Sequence, residues 1–409
     1  MAGDRFDVIV VGGGCVGATL ACALGQAGLG TAVVELHPPL ADWPAGSVDL
    51  RVFSITPASR RAFTAVDAWP AMVARGVSPF REMHVWDAAG AGVIHFDSTE
   101  AGEDCLGHIV EERVIRLALA ERMAALPTVE VICPARLAAL ESGPDGAVVT
   151  LEDGRRLQAP LVVGADGARS RVRDLAGIGA HVHDYRQRAV VAVVETELWH
   201  QETAWQRFLP TGPLAFLPLR DGRSSIVWSM DSDRAEVVEA ADEGDFQREL
   251  GEAFEYALGR ITGTGPRAGF PLRRLHAESY IGDRVALIGD AGHTIHPLAG
   301  QGANLGFMDA AALAQVVTEA RSAGRDPGAR RVLRRYERWR KGDNLAMMGA
   351  MDVFKHLFAS RLPPLRWGRN LGLALVDRAT PIKALFMDHA MGLAGDLPAL
   401  ARPDPDREG

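Results

Sequence analysis

The chain has 409 residues, 47% of them hydrophobic, and a formal net charge of −8, which excludes a disordered chain and gives no basic footprint for nucleic acid. The four cysteines form no CxxC pair, so neither a metal site nor structural disulfides are expected. The N-terminus enters an apolar strand without a signal segment, and no run of about 18 residues is apolar enough to span a bilayer, so we expect a cytoplasmic protein that could still attach to a membrane surface.

The first elements predict a doubly wound sheet. Residues 7–11 form a continuous apolar run, which is typical of a central parallel strand buried on both faces. Glycines follow, and the segment ATLACALGQAG then has helical spacing up to Gly28. The segment TAVVEL is the next strand. This strand–helix–strand unit is the expected start of an open, parallel α/β sheet.

The middle of the chain is richer in strands. Residues 80–96 predict two strands around a turn, and residues 111–123 predict a helix. The segments VEVIC, AVVTLEDG and LVVGADG then predict a hairpin and a return to the central sheet. Between residues 188 and 280, β-rich segments surround one helical piece at 246–258. We interpret this part as a second, mixed β domain inserted into the first.

The last part of the chain is predicted to be mostly helical. RVALIGDAGH is another buried strand, and a long helix is expected from about Ala303. Residues 331–383 are basic and rich in Met and Phe. Such helices could contact anionic lipid or a protein partner, or they could pack on the rest of the chain and present a solvated basic face.

A glycine-rich loop follows the first strand. Gly12, Gly14 and Gly17 have the G-x-G-x-x-G spacing, and Glu35 follows the second strand. The glycines allow a tight turn, close approach of a pyrophosphate to the backbone and close packing of helix and strand, while the carboxylate can accept hydrogen bonds from ribose hydroxyls. A glycine-rich turn without a ligand would leave the acidic strand end unexplained. The pattern therefore predicts a dinucleotide site.

A second glycine–acid loop lies far along the chain, in LIGDAGHTIHPLAGQGANLG. Its strand delivers Asp290 to a carboxyl end, where open α/β sheets bind ligands. Two such loops indicate a longer cofactor, with ribityl hydroxyls at Asp290 and a flavin pyrimidine facing the amides of 302–304. The alternative is a strand–loop–helix crossover with an ordinary cap. His293 and His296 are titratable candidates here, although loop-capping roles suit them equally well.

A third motif is VVGADGARSRVR, in which Asp166 and Gly167 follow a strand. The arginines at 169, 171 and 173 suit phosphates, either of FAD or of a visiting nicotinamide dinucleotide. Taken alone, such a segment is more often an Asp-Gly turn with a solvated arginine face. The other two motifs favour the phosphate-binding interpretation.

Together, these three motifs resemble those of the single-component flavoprotein aromatic hydroxylases, which are related in fold to p-hydroxybenzoate hydroxylase. Within that class the chain looks most like the ubiquinone-biosynthesis hydroxylases of the UbiH/UbiF/VisC/COQ6 group. The resemblance covers nearly the whole chain, including residues 50–63, residues 106–119 and the ending HAMGLAGDLPALAR.

The resemblance implies roles for particular residues. Gly12, Gly14, Gly17 and Glu35 would bind the ADP half of FAD. Arg51 would lie near the flavin, and Asp166 and Gly167 would serve both FAD and NAD(P)H. Asp290 would hold the ribityl chain. The loop that flanks the flavin ring would contribute Pro297, Gly300, Gly302, Ala303 and Asn304. Arg51 and Pro297 are the candidates beside the reacting centre, and no role is assigned to Glu111 or Glu112.

The resemblance also implies a fold of class α/β. A Rossmann-type FAD-binding domain would comprise residues 1–77, 104–182 and 278–340. A β-rich substrate domain (78–103 and 183–277) would be inserted into it, and residues 341–409 would form a helical C-terminus. Trp205, Phe208, Phe216, Leu217 and Trp228 are offered as an apolar substrate wall of which alternate members face the pocket, with core packing as the alternative for each.

The implied activity is that of a monooxygenase. NAD(P)H would visit transiently because the chain has one dinucleotide fingerprint, and a flavin C4a-hydroperoxide would hydroxylate a polyprenylated phenol in ubiquinone biosynthesis. The partners would be that phenol, O2 and possible contacts with other ubiquinone-biosynthesis proteins or the inner membrane surface. Alternatives are a flavoprotein of the same fold that acts on a soluble phenol or a prenyl chain, and a scaffold that retains FAD within a biosynthetic complex.

Overall fold

Four β-sheets organise the described part of the chain, and helices contact each of them. The computed structural model describes residues 4–88, 90, 92–295, 301–359, 387 and 391–403. Strands and helices carry numbers in chain order. The helices are α1 (Cys15–Gln26), α2 (Pro57–Ala65), α3 (Trp69–Arg75), α4 (Glu112–Ala124), α5 (Arg171–Leu175), α6 (Ser232–Ala240), α7 (Glu243–Ala253), α8 (Gln301–Ser322) and α9 (Arg330–Ala359).

The central sheet has six strands, and all but one edge strand run parallel. Its strands are short and rich in Val, Ile and Leu, as expected for a parallel sheet that is buried on both faces. Helix α1 packs against α4 and α8, and this contact belongs to the largest apolar core. In spatial order the strands are β19 (Ile281–Gly282), β20 (Val285–Leu287), β13 (Leu161–Gly164), β2 (Val8–Val11), β3 (Thr31–Val34) and β9 (Val129–Ile132).

The strand register brings four carboxyl ends to one edge of this sheet. Val11 pairs with Val34 on one side and with Gly164 on the other, and Gly164 pairs with Leu287. The residues that follow these strands therefore meet at the same edge, although they lie far apart in the chain. From β3 to β20 this edge spans three inter-strand spacings, roughly 14 Å.

The second large sheet has eight strands and is antiparallel except for one pair. It takes strands from three separate parts of the chain. In spatial order they are β21 (His293–Thr294), β18 (Ile261–Ala277), β14 (Ala180–Thr196), β17 (Ser224–Asp231), β16 (Gly212–Pro218), β15 (Thr203–Leu209), β6 (Glu82–Asp87) and β7 (Val93–Asp97). Helices α6 and α7 cover one face of this sheet.

Two small sheets complete the described fold. One is a four-stranded sheet with β1 (Asp4–Arg5), β12 (Arg156–Ala159), β11 (Gly146–Leu151) and β10 (Leu137–Gly143). The other is a three-stranded antiparallel sheet with β4 (Val52–Ile55), β8 (Gly107–Glu111) and β5 (Ser78–Phe80). Short 3₁₀ turns occupy Ser98–Ala101, Gly289–Ala291 and Ala399–Ala401.

The structure corrects three details of the sequence prediction. VEVIC forms β9 at an edge of the central sheet, and the hairpin consists of β10 and β11. Helix α6 was not expected, and the helical piece predicted for 246–258 ends at Ala253. It ends there because Glu255 and Tyr256 adopt left-handed backbone conformations, which a helix cannot continue through. The domain boundaries proposed above stay a prediction.

Candidate active site

The glycine loop after β2 is shaped by direct contact with its neighbours. Gly12 has φ +104°, and a Cβ there would lie 2.4 Å from the carbonyl oxygen of Ala165. A Cβ on Gly17 would lie 1.9 Å from the carbonyl oxygen of Gly12. Both positions therefore need glycine for the fold itself. Gly14 is different, because a Cβ there would meet nothing within 4 Å.

The open space at Gly14 lies in front of the N-terminus of α1. No side chain caps this terminus, and its first turn contains no acidic residue. The first backbone N–H groups of a helix have no partner within the helix, so an uncapped terminus that faces open space is suited to an anion. The arrangement fits a pyrophosphate.

Glu35 sits beside this loop, directly after β3. Its Oε2 accepts a hydrogen bond from the Gly13 N–H at 2.6 Å, and its Oε1 accepts one from the His37 N–H at 2.9 Å. A carboxylate offers about four acceptor positions, so two stay available for the hydroxyls of a ribose. The contact with Gly13 fixes the carboxylate next to the pyrophosphate position.

Asp290 lies at the other end of the same edge, in the 3₁₀ turn that follows β20. Its side chain is accessible to solvent, yet it is so deeply surrounded by protein that desolvation raises the pKa of its carboxyl, against the lowering effects of His293 and Arg51. Among the described residues, no protein group is hydrogen-bonded to this carboxylate. An acid that is accessible to solvent yet closely surrounded by protein fits a ligand rich in hydroxyl groups.

Arg51 lies directly before β4. Its side chain is 56% exposed and forms a 2.9 Å ion pair with Glu112. Its charge lowers the pKa of the Asp290 carboxyl. The adjacent Glu111 has another partner: its Oε2 lies 2.7 Å from Arg113 and accepts the Asp49 N–H. The two glutamates therefore have different structural roles.

The motif at Asp166 is held by its own turn. Asp166 accepts hydrogen bonds from the backbone N–H groups of Arg171 and Val172, at 2.7 and 3.1 Å, and from the Ser170 hydroxyl at 2.5 Å. Gly167 takes φ +78°, as an Asp-Gly turn requires. The carboxylate therefore caps the start of α5, which leaves binding of FAD or NAD(P)H by these two residues a prediction.

Arg173 is not the surface arginine that the sequence suggested. It is buried and donates to the carbonyl oxygens of Ala291 and Ala168, each at 3.1 Å. The first of these bonds ties the Asp166 motif to the residue after Asp290. Arg169 and Arg171 are exposed, and Arg171 donates to the carbonyl oxygen of Ala138 at 3.2 Å.

The start of α8 contains three of the expected flavin contacts. Gly302 and Ala303 are partly buried in its first turn. The side chain of Asn304 is committed elsewhere, since it donates to Ser54 and accepts from Thr56. Only its backbone could face a ligand. The calls on Pro297, Gly300 and His296 fall outside the described residues.

Sequence reasoning missed one buried cluster directly behind Asp290. Asp309 on α8 is fully buried and contacts His293, Arg340 and Asn344. Burial alone would raise its pKa, but the attraction of His293 and Arg340 outweighs this, and the pKa of Asp309 is lowered to about 2. The signal in the sequence was a lone acid in the apolar helix segment LGFMDAAALAQVV.

Comparison with known proteins decides the family. The family model described as "FAD binding domain" matches residues 5–348. The chain belongs to this family. The uncapped helix terminus, Glu35 and Asp290 are compatible with an extended flavin dinucleotide, and their roles in binding it stay a prediction.

Relatives extend the match beyond the family model. The ubiquinone hydroxylase UbiL of Rhodospirillum rubrum is 40% identical over 98% of this chain and 93% of its own length. The 3-demethoxyubiquinol 3-hydroxylase of Escherichia coli K12 is 39% identical, over 96% of this chain and 100% of its own. These matches confirm the resemblance stated from the sequence.

Solved structures share the fold. p-Nitrophenol 4-monooxygenase PnpA from Pseudomonas putida DLL-E4 superposes with a TM-score of 0.79 at 19% identity, covering 96% of this chain and all of that one. PqsL from P. aeruginosa gives 0.73 at 26% identity, covering 91% and 100%. The predicted p-hydroxybenzoate-hydroxylase-like α/β fold, the FAD cofactor and the monooxygenase class are confirmed.

Proposed function

We propose that the protein uses NAD(P)H and O2 to hydroxylate the aromatic ring of a polyprenylated phenol in ubiquinone biosynthesis. The observation that carries this proposal is the 39–40% identity with two hydroxylases named for ubiquinone compounds, along nearly the entire chain. The bound FAD would supply the activation of oxygen, which amino-acid side chains cannot perform.

A cluster of apolar side chains that includes Val52, the residue after Arg51, supports a hydrophobic substrate. The eight-stranded sheet has one face toward α6 and α7 and an opposite face toward β4 and β8. On the second face, Met83, Phe96 and Leu217 are only partly buried, as is Val52 of β4 in the same apolar cluster. Partly exposed apolar side chains next to a candidate cofactor cleft are what an apolar ring and its prenyl chain would cover.

The residues of this chain would bind and orient rather than react. Glu35 and the N-terminus of α1 would hold the ADP half, and Asp290 would hold the ribityl hydroxyls. We propose that Arg51, steadied by Glu112, orients the ring edge of the flavin or the substrate phenol, with the loop at Pro297 flanking it from the other side. Gly300, Gly302, Ala303 and Asn304 would contribute backbone contacts to the ring.

Turnover assays test the reaction and the substrate class together. Protein loaded with FAD is supplied with NADH or NADPH, and O2 uptake is measured with a prenylated phenol and with a short, soluble phenol. We expect the prenylated phenol to accelerate uptake and to gain one oxygen atom. Faster turnover of the soluble phenol would contradict the proposed substrate. Flavin-bearing protein that consumes no O2 with any phenol would favour a scaffold.

Complementation identifies the position on the ring. Bacterial strains that each lack one ring hydroxylase are transformed with this gene, and the quinone intermediates that accumulate are analysed. Restoration of ubiquinone in one strain identifies the carbon that is hydroxylated. Failure in every strain would contradict the proposed place in ubiquinone biosynthesis.

The site itself is tested by Asp290→Ala. We expect this variant to stay folded and to lose most of its bound flavin, because the ribityl hydroxyls lose their acceptor. Asp283→Ala is the matched control, since Asp283 is an exposed acid at the opposite, amino end of β20. Full retention of yellow colour by Asp290→Ala would contradict the assignment.

We further propose that the basic face of α9 contacts an anionic membrane surface. Arg331, Arg334 and Arg338 are exposed at helical spacing on one side of this helix. Clustered arginines of this kind are attracted to anionic lipid headgroups. Among the described residues, no helix has the length and apolarity needed to cross a bilayer, so the contact would be peripheral.

Sedimentation with vesicles tests this contact. Wild-type protein should bind vesicles that contain anionic lipid and not neutral ones, and replacing the three arginines by Gln should abolish binding. The matched control replaces Arg136, Arg155 and Arg156, which are exposed on the four-stranded sheet. Equal loss in both variants, or no vesicle binding at all, would contradict the proposal and leave a protein partner as the occupant of this face.

A further inference from the structure

One buried carboxylate connects the Asp290 turn to the C-terminal helix. Oδ2 of Asp309 accepts the Gly289 N–H at 3.1 Å and the His293 Nε2–H at 2.5 Å. Its Oδ1 accepts from Arg340 Nε at 2.9 Å and from Asn344 Nδ2 at 3.2 Å. All four acceptor positions of the carboxylate are therefore used. One oxygen serves the turn, and the other serves α9.

The two residues held by Oδ2 lie on either side of Asp290. Gly289 immediately precedes it, and His293 follows three residues later. From the opposite direction, Arg173 holds the carbonyl oxygen of Ala291 at 3.1 Å. Asp290 thus stands in a short turn whose backbone is fixed before and after it, while its own carboxylate is accessible to solvent.

We propose that Asp309 is a positioning residue for FAD, which aligns Asp290 with the ribityl chain and makes flavin binding depend on the docking of α9. A buried ion pair gains little stability over an apolar pair of equal volume. We therefore ascribe a geometric role to the contacts of Asp309. What it adds is a fixed direction for four hydrogen bonds.

The same helix reaches the inserted sheet. Helix α9 contacts β15 and β16, and its Met348 packs with Ile295 and Leu305 beside the Asp290 turn. A shift of α9 would therefore be felt at both the sheet and the turn. Asp309 gives this helix a rigid connection to the flavin site.

Asp309→Asn breaks the connection with little change in shape. Asn has one oxygen and one NH2 group in place of the two carboxylate oxygens. Its NH2 group must then point at N–H donors, either those of the turn or those of α9, and the hydrogen bonds on that side are lost. We expect FAD to bind about 10–100-fold more weakly, as for loss of a hydrogen bond to a charged group. The visible spectrum of the remaining bound flavin should shift, because the flavin then sits in an altered field.

Glu319→Gln is the matched control. Glu319 on α8 forms a 2.8 Å ion pair with Arg335 on α9, so it joins the same two helices at the surface. This variant should keep wild-type FAD affinity and flavin spectrum. Affinity is measured by titration of the apoprotein with FAD, and the melting temperature of each apoprotein is recorded alongside.

Milder variants keep the proposal testable if Asp309→Asn does not fold. Asn344→Ala removes one bond to Oδ1, and Arg340→Lys keeps the charge while losing the Nε donor. Both should weaken FAD binding more than Glu319→Gln does at equal loss of apoprotein stability. A variant at 309, 340 or 344 that melts lower but binds FAD with unchanged affinity and spectrum would overturn the proposal, because Asp309 would then only stabilise the fold.

Discussion

The edge of the central sheet and the eight-stranded sheet differ in how sequence becomes function. At the edge, Gly12, Glu35 and Asp290 each follow a buried strand within a few residues, so their place follows from strand order. In the eight-stranded sheet, neighbouring residues face opposite sides. Phe216 packs on α7, whereas Leu217 faces β4 and β8. The position of a turn motif follows from the strand that precedes it. Which side of a sheet a strand residue packs on depends instead on the elements that cover that sheet.

This difference corrects the expected substrate wall. Trp205, Phe216 and Trp228 belong to the core under α6 and α7, where Phe216 stacks on Phe254 with ring centroids 3.8 Å apart. Leu217 lies on the other face, toward the candidate cleft. The sequence predicted that alternate residues of this set would face a pocket, and the structure shows on which side of the sheet Trp205, Phe216, Leu217 and Trp228 pack.

The largest loss of stability is expected at Gly17, where the backbone leaves no room for a side chain. In Gly17→Val the new side chain would collide with the Gly12 carbonyl, and we expect destabilisation by more than about 4 kcal/mol, in the range of the largest single substitutions. Gly14→Ala should instead fold normally and bind FAD poorly, because its Cβ fills the open space before α1. Thermal melting and the flavin-to-protein absorbance ratio measure both effects. Normal flavin content in Gly14→Ala would contradict the assignment of the space before α1 to the pyrophosphate.

The faces of the eight-stranded sheet are tested by two neighbours. Phe216→Ala should destabilise the fold by about 3–4 kcal/mol, because the ring is fully buried in a packed core. Leu217→Ala should cost about 1 kcal/mol and mainly raise the KM for the phenol. Urea unfolding and steady-state kinetics separate the two outcomes. Equal losses of stability would show that both residues are core.

Two partly buried histidines, one in the eight-stranded sheet and one in the three-stranded sheet, should make the stability of the fold depend on pH. Burial, followed by the charges of Arg60 and Arg81, lowers the pKa of His108 to about 4, and burial, followed by Lys341, lowers that of His276 to about 4. The unfolded chain protonates these groups near pH 6.5, so unfolding takes up protons between pH 4 and 6.5. Stability should fall as the pH is lowered through this window, by at most roughly 3 kcal/mol for His108.

His108→Phe checks this expectation. The variant keeps an aromatic ring against Trp69, which lies 5.0 Å from His108 between ring centroids. Urea unfolding is measured across the same pH window. A slope equal to that of the wild type would rule out His108 as a source of the pH dependence.

The smallest effect is expected at the adenosine end of the edge. Glu35→Gln replaces two acceptor oxygens by one, so either Gly13 or His37 loses its hydrogen bond. We expect FAD to bind about tenfold more weakly, with the fold intact. Titration of the apoprotein measures the change. Unchanged affinity would mean that this end of the edge contributes little to binding.

The sequence alone determined the parts that depend on local chemistry. It predicted the strand–helix–strand start, the carboxyl-end turns at Gly12, Asp166 and Asp290, and the β-rich insertion, because glycine spacing and apolar periodicity report local backbone conformation. The sequence also predicted the family, because the three motifs together resemble those of one class of flavoproteins. Only the tertiary structure could show that Asp309 meets Arg340 or that Arg173 is buried against Ala291. The partner of a buried charged group is determined by how distant segments pack against each other. The periodicity of residues along the chain gives no information about that packing.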